Sequence, residues 1–145
     1  MEVKEFIMQI EQQRKEQDAI YHDVAVKYNL SDTAMWVLYI VSDSNEVHTQ
    51  QDLCRQCFFA KQTIHTAVNS LMKLNLVELE AIQGTRNQKR ILLTEQGWEV
   101  VKKTVEPLKE AENRAYKSLS KDELKAYLEM TERLTTALRN ETDKL

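Results

Sequence analysis

A mainly α-helical chain built on a winged helix-turn-helix, with N- and C-terminal helices forming a dimerisation region, is what three features of the sequence predict. Residues 49–74 read as two amphipathic helices joined by three residues. Residues 77–93 read as two short alternating strands around a basic polar loop. Helical patterns flank this stretch on both sides, and their apolar stripes need partners outside a single small core. With 2 Gly and 1 Pro in 145 residues, and 30% of the chain charged, there is little room for many-stranded architecture. The length suits one domain that buries about two-thirds of the surface of its unfolded chain. The expected organisation is a winged region over residues 31–94, intertwined in one domain with dimerisation helices at 1–30 and 95–145.

The elements follow in order. From Met1 to Tyr28 one helix carries Phe6, Ile10, Ile20, Val24 and Tyr28 as an intermittent stripe, which calls for a partner helix from elsewhere. Asn29-Leu30-Ser31 breaks it, and Ser31 is a good N-cap with Asp32 in the first turn behind it. The next helix, to about Asp43, is apolar nearly all round (Met35, Trp36, Val37, Leu38, Tyr39, Ile40, Val41), which predicts an internal wall. Thr49 is the N-cap of a short helix ending near Cys57, with Asp52 placed to favour its dipole. Phe58, Phe59 and Ala60 make the turn into the helix from Lys61 to Leu74. Val77, Leu79 and Ala81 alternate with Glu78 and Glu80, a polar turn runs from Gln83 to Arg90, and Ile91-Leu92-Leu93 returns. Thr94 then caps a helix expected to reach about Leu119 with a kink at Pro107. Ser120-Lys121-Asp122-Glu123 is a capping box opening a last helix whose stripe is Leu124, Tyr127, Leu128, Thr131, Leu134 and Leu138.

The helix from Lys61 carries the chemistry. Ile64, Ala67, Val68 and Leu71 form its buried stripe, while Gln62, Thr66, Asn69 and Lys73 point the opposite way with Lys61 and His65 at the edge. That outer face holds no carboxylate, whereas the helices elsewhere in the chain mix Glu with Lys. Amide and hydroxyl groups match the donors and acceptors of base edges, and lysine suits phosphate. Composition alone fits a solvated surface equally well; the basic hairpin that follows favours the nucleic-acid reading. Charge distribution agrees. The net charge is −3, yet residues 1–45 carry −4, residues 46–94 carry +2 and residues 95–145 carry −1. A locally basic surface on an acidic body still neutralises phosphates.

At three places the sequence resembles the MarR (multiple-antibiotic-resistance regulator) family of bacterial transcription factors. These are Lys61-Gln62-Thr63, the Leu-x-Lys-Leu-x-Leu-Val segment at 71–77, and Ile91-Leu92-Leu93-Thr94-Glu95-Gln96-Gly97, with its Leu-Thr-x-x-Gly step into a long helix. Length and helix order match as well. The resemblance implies a two-fold homodimer, double-stranded DNA as partner, and a pocket for a small aromatic or phenolic effector between the dimer ends and the winged helix. Trp36 and Tyr39 are candidates to line it, with core packing as the alternative. Two departures stand out. The family's wing usually carries Asp-x-Arg where this chain has Thr85 and Asn87 around Arg86, which opens the question of which side chain enters the minor groove. A capping Ser before the recognition helix is replaced by Ala60.

The expected DNA-contacting residues are Lys61, Gln62, Thr63, His65, Thr66, Asn69 and Lys73 on the recognition helix. Gln62, Thr66 and Asn69 are set to meet base edges, and Lys61, Lys73 and Thr49 to hold phosphates, the last at a helix N-terminus. Arg86, Asn87, Lys89 and Arg90 of the wing are set to follow the backbone, with one arginine in the minor groove. Cys54-x-x-Cys57 has the spacing of a redox pair, but the positions face the core of a short helix, where Cys behaves as a small hydrophobe. No phosphate-cradling Gly loop, His-Glu-x-x-His or Gly-x-Ser-x-Gly is present, so neither an enzyme, a cofactor nor a metal is expected. His22, His48 and His65 fall on different elements as surface or core-edge residues. Without a signal-peptide pattern or an apolar run of about 18 residues, the expected setting is the cytoplasm, with no membrane partner. The functional expectation is a homodimeric, sequence-specific regulator of transcription, a repressor acting on a pseudo-palindromic operator and relieved by a small-molecule effector. The alternatives are a winged helix used for protein interaction, or a thiol-based sensor.

Overall fold

The computed structural model describes the 145 residues apart from Ser44, Asn45 and Val47. It forms two compact units, Met1–Pro107 and Leu108–Leu145. The first contains α1 (Val3–Lys27), α2 (Asp32–Val41), α3 (Gln50–Cys57), α4 (Lys61–Lys73), β1 (Val77–Ala81), β2 (Lys89–Leu93), α5 (Glu95–Lys103) and the start of α6 (Val105–Tyr116). The second contains the rest of α6 and α7 (Lys121–Thr142).

Local chemistry sets the helix ends. The hydroxyls of Ser31, Thr49, Thr94 and Ser120 accept from the backbone N–H three residues on, at 2.9–3.1 Å, as N-caps do. Two C-termini close with Asn in the left-handed region, Asn29 and Asn75, both at φ 56°. In each, two backbone bonds wrap the end: Leu30 N–H to the Ala25 carbonyl and Asn29 to Val26, then Leu76 to Leu71 and Asn75 to Met72. This is the Schellman arrangement, and asparagine tolerates the conformation better than most residues.

The core of the first unit is built around α2. Ala34, Val37, Leu38 and Val41 meet Leu53 of α3, the Ile64, Ala67, Val68 and Leu71 stripe of α4, Leu76, Val77, Ile91, Val101 and Val105. Fully burying one such side chain contributes about 1.5–3 kcal/mol, so α2 and α4 anchor the unit. The strands pair antiparallel with Val77 opposite Leu93, Leu79 opposite Ile91 and Ala81 opposite Lys89. One further bridge joins Thr49 to Arg90, and the Ile91 N–H donates to the His48 carbonyl at 2.8 Å. The hairpin is thereby tied to the entrance of α3.

Four expectations need correction. The hairpin return begins at Lys89, so Lys89 and Arg90 are strand residues and the loop is shorter than the polar composition implied. The long helix breaks at Thr104 (φ −124°, ψ −64°), three residues before Pro107. A proline acts on the carbonyl four residues earlier, here that of Lys103, by withholding an N–H and crowding it with its ring. The Thr104 hydroxyl bonds back to the Val100 carbonyl at 2.7 Å. Helix α6 ends at Tyr116, before Leu119. Finally, His48 is buried, at 4% exposure, and among the described residues neither ring nitrogen has a hydrogen-bond partner.

Helix α1 buries only Ala25, leaving Phe6, Ile7, Met8 and Ile20 exposed. In the second unit α7 buries nothing, and Tyr127, Leu128, Met130, Leu134 and Leu138 are exposed along it. Among the described residues no helix is long and apolar enough to cross a membrane.

Candidate nucleic-acid interface

The α3–turn–α4 unit is set by its turn. Phe58 adopts φ 55° and is 88% exposed, while Phe59 packs against the core. Ala60 supplies no side-chain cap to α4, so the first-turn amides carry no intramolecular side-chain acceptor there. Beyond that point the stripe expected on α4 is the stripe observed. Ile64, Ala67, Val68 and Leu71 are buried. Lys61, Gln62, Thr63, His65, Thr66 and Lys73 are exposed, and Asn69 is half-buried.

Three polar side chains meet on this surface. Asn69 Nδ2 lies 3.1 Å from His65 Nε2, and His65 Nδ1 lies 3.3 Å from Oε1 of Gln50, the first residue of α3. His65 and Asn69 were expected on the outer face. Gln50 was not: nothing local in the sequence signals that the start of α3 reaches the outer side of α4.

The wing tip turns on Gly84, at φ 81°, a conformation that favours glycine. The Thr85 hydroxyl donates to the Ile82 carbonyl at 2.7 Å, and the Ile82 N–H donates to the Gln88 carbonyl at 3.0 Å. Thr85 thus has a turn-closing role. Arg86, Asn87 and Lys89 are exposed. Arg90 is half-buried and its guanidinium pairs with Glu80 across the strands. The hairpin loop holds no anion, but one strand beside it does, and this partly neutralises the wing. Among the described residues no ion pair engages Lys61, Lys73, Arg86 or Lys89, and these four exposed cations face solvent.

Thr49 and Asp52 close α3 reciprocally. The Thr49 N–H donates to Asp52 Oδ2 at 2.9 Å, and the Asp52 N–H donates to Thr49 Oγ1 at 3.1 Å. The backbone bond from Thr49 holds the Asp52 carboxyl below its ordinary pKa; partial burial opposes this, while the Thr49 hydroxyl and the nearby Arg55 reinforce it. Cys54 packs against the core and Cys57 is partly buried. Burial pushes the Cys57 thiol up, and the neighbouring Cys54 adds to the shift. A raised thiol pKa leaves less thiolate, the reactive form, at neutral pH. On the other side of α2, Trp36 packs between Tyr21 (centroids 5.0 Å apart) and Tyr39 (5.2 Å), with both rings tilted to it. Trp36 and Tyr39 are half-buried.

A helix-turn-helix whose second helix bears an anion-free polar face, followed by a two-stranded hairpin with solvent-facing cations, defines a winged helix protein. Residues 28–92, the part of the chain that holds the helix-turn-helix and the wing, match the model of the MarR family. No curated protein matches the sequence. Solved structures share the fold over nearly the whole chain. A MarR family regulator from Neisseria meningitidis is 15% identical, with 95% of this chain and 96% of that one covered and a TM-score of 0.81. A MarR family transcriptional regulator from Listeria monocytogenes, solved with a 26mer DNA, is 16% identical, with coverage of 93% and 89% and a TM-score of 0.73. The MarR protein of Staphylococcus aureus, solved with salicylate and kanamycin, is 15% identical, with coverage of 95% and 93% and a TM-score of 0.70.

Proposed function

We propose that this chain is a sequence-specific DNA-binding regulator of transcription that acts as a homodimer, represses from a pseudo-palindromic operator, and is relieved by a small aromatic effector. The observation that carries the reading is the outer face of α4: six exposed polar or cationic residues, with no carboxylate, beside a wing whose Arg86 and Lys89 face solvent. The relative from Listeria solved with DNA supports the ligand class. In a two-fold dimer the recognition helices enter successive major grooves about 34–36 Å apart. Gln62, Thr66 and Asn69 meet base edges, Lys61 and Lys73 hold phosphates, and the wing follows the backbone. Arg86 is the arginine that reaches the minor groove, because Arg90 is engaged by Glu80. Salicylate on the Staphylococcus relative supports an aromatic effector for this chain, and the half-buried Trp36 and Tyr39 offer it a stacking surface.

The test is binding of the full chain to DNA from the region upstream of its own gene and to duplexes enriched from a random library, followed by electrophoretic shift across a range of salt. Arg86→Ala and Lys89→Ala are each expected to weaken binding to every duplex and to lower the slope of log affinity against log salt by about 2, one contact being lost from each protomer of the dimer. Gln62→Ala is expected to relax sequence preference instead. Unchanged affinity of both wing variants at every salt concentration excludes the wing contacts. Failure to bind any duplex in dilute buffer, with capture of an acidic protein instead, replaces the proposal by an interaction module.

A further inference from the structure

As their atoms are placed in the structure, three side chains on two helices form a chain whose hydrogen-bonding roles agree with one histidine tautomer. The atom of Asn69 that faces His65 Nε2, at 3.1 Å, is its amide nitrogen, a donor, so Nε2 must accept. The ring proton then sits on Nδ1, where it donates to the Gln50 oxygen at 3.3 Å. The other neutral tautomer sets two N–H groups against each other at Nε2 and leaves the Gln50 oxygen facing a bare nitrogen. His65 thus couples the carboxamides of Gln50 and Asn69, so that in this arrangement the Nδ1–H tautomer and the Asn69 orientation go together; with both carboxamides turned over the proton sits on Nε2, the outcome that the experiment below distinguishes.

This orientation has a consequence for recognition. One hydrogen of Asn69 Nδ2 is committed to His65. What remains is the other N–H beside the carbonyl oxygen: one donor and one acceptor, side by side. Adenine offers the complement in the major groove, an N7 acceptor beside an N6 donor. Guanine offers two acceptors, N7 and O6. A free carboxamide can turn its NH₂ edge outward and give one hydrogen to each of them. The bond to His65 withholds one of those hydrogens, so guanine meets a single donor and a repelling oxygen. We infer that His65 is a positioning residue which, with Gln50, locks Asn69 to read adenine and to reject guanine. This rests on the DNA-reading function proposed above and adds to it the base, the position that reads it and the residue that enforces the choice.

The probe is the best duplex enriched by the full wild-type chain from a random library. Each adenine of that duplex is changed in turn to guanine, with its partner changed to cytosine, and separately to 7-deazaadenine, which lacks the N7 acceptor. At one position per half-site the wild type is expected to lose roughly tenfold or more on either change. His65→Leu is expected to lose the base preference at that position while the preferences at every other position persist, read as ratios between duplexes so that a uniform change in affinity cancels. His65→Gln, whose carboxamide can accept from Asn69 and donate to Gln50, is expected to restore it. Ring nitrogen–proton correlations of the free full chain are expected to show His65 protonated on Nδ1. If wild type enriches a duplex but His65→Leu discriminates equally at every adenine, or if the ring carries its proton on Nε2, the lock is overturned and DNA binding stands. If the wild type enriches no duplex, DNA reading and the lock fall together.

Discussion

Phe58 holds a backbone conformation, φ 55°, that costs an L-residue about 1–2 kcal/mol and costs glycine nothing. At 88% exposure its ring recovers little of this by burial. Glycine has its own entropic cost on folding, about 0.5–1 kcal/mol. Phe58→Gly is therefore expected to raise stability by about 0.5–1 kcal/mol, read as a higher urea midpoint at unchanged slope. A lower midpoint contradicts the assignment of strain to this turn. Asp52 gives a residue-scale expectation of opposite kind. Its folded-state pKa lies below the ordinary 3.8, so its contribution is complete above that value and is lost as pH falls through the lower folded value. Asp52→Asn should cost about 1 kcal/mol at neutral pH and flatten the decline of stability below about pH 4. Thermal melts of both proteins from pH 2 to 7 measure this, and parallel curves would refute it.

At the scale of elements, the step from the wing into α5 shows why a short motif can be specific. The Thr94 hydroxyl caps α5 through the Gly97 N–H at 2.9 Å and donates to the Asn75 carbonyl at 2.6 Å, while the Thr94 N–H donates to the Leu76 carbonyl. A Cβ on Gly97 would stand 2.0 Å from that same Leu76 oxygen. Leu-Thr-x-x-Gly thus joins three elements: the end of α4, the hairpin and α5. Gly97→Ala is expected to cost about 2 kcal/mol or more and to lower the melting midpoint by several degrees, because the neighbour that must move is backbone. A melt within a degree of wild type would remove the close approach from the account. Caps and stripes of this kind were legible because each is written in four or five adjacent residues. The break at Thr104 was misplaced because proline acts on a carbonyl one turn away. The hairpin return was misjudged because Lys89 and Arg90 look like loop residues, whereas Arg90 is drawn into the strand by Glu80, which faces it across the ladder.

For the whole molecule, the exposed apolar residues of α1 and α7 are the main unmet demand. Phe6, Ile7, Leu128 and Leu134 are each between 44% and 57% exposed, on helices that bury almost nothing within the chain. Rows of this length are more than isolated surface apolar residues, and a second copy is the occupant that the proposed function requires. Leu128→Glu combined with Leu134→Glu is expected to shift the chain from dimer to monomer in light scattering at micromolar concentration. It should also weaken duplex binding by much more than tenfold, since one reading head then acts alone. A wild-type chain that is monomeric under those conditions overturns the dimer, and with it the two-groove geometry.

Local order determines the helices, their caps, the buried stripe of α4 and the anion-free face opposite it, and the sequence by itself was sufficient for these. Periodicity and capping act between residues at most a turn apart, so they survive being read in one dimension. Only the tertiary structure joined Gln50 to His65, paired Arg90 with Glu80, buried His48 and brought the Leu76 carbonyl against Gly97. Those contacts link positions from different elements, and each depends on how the core brings α2, α3, α4 and the hairpin together, which no stretch of neighbouring residues encodes.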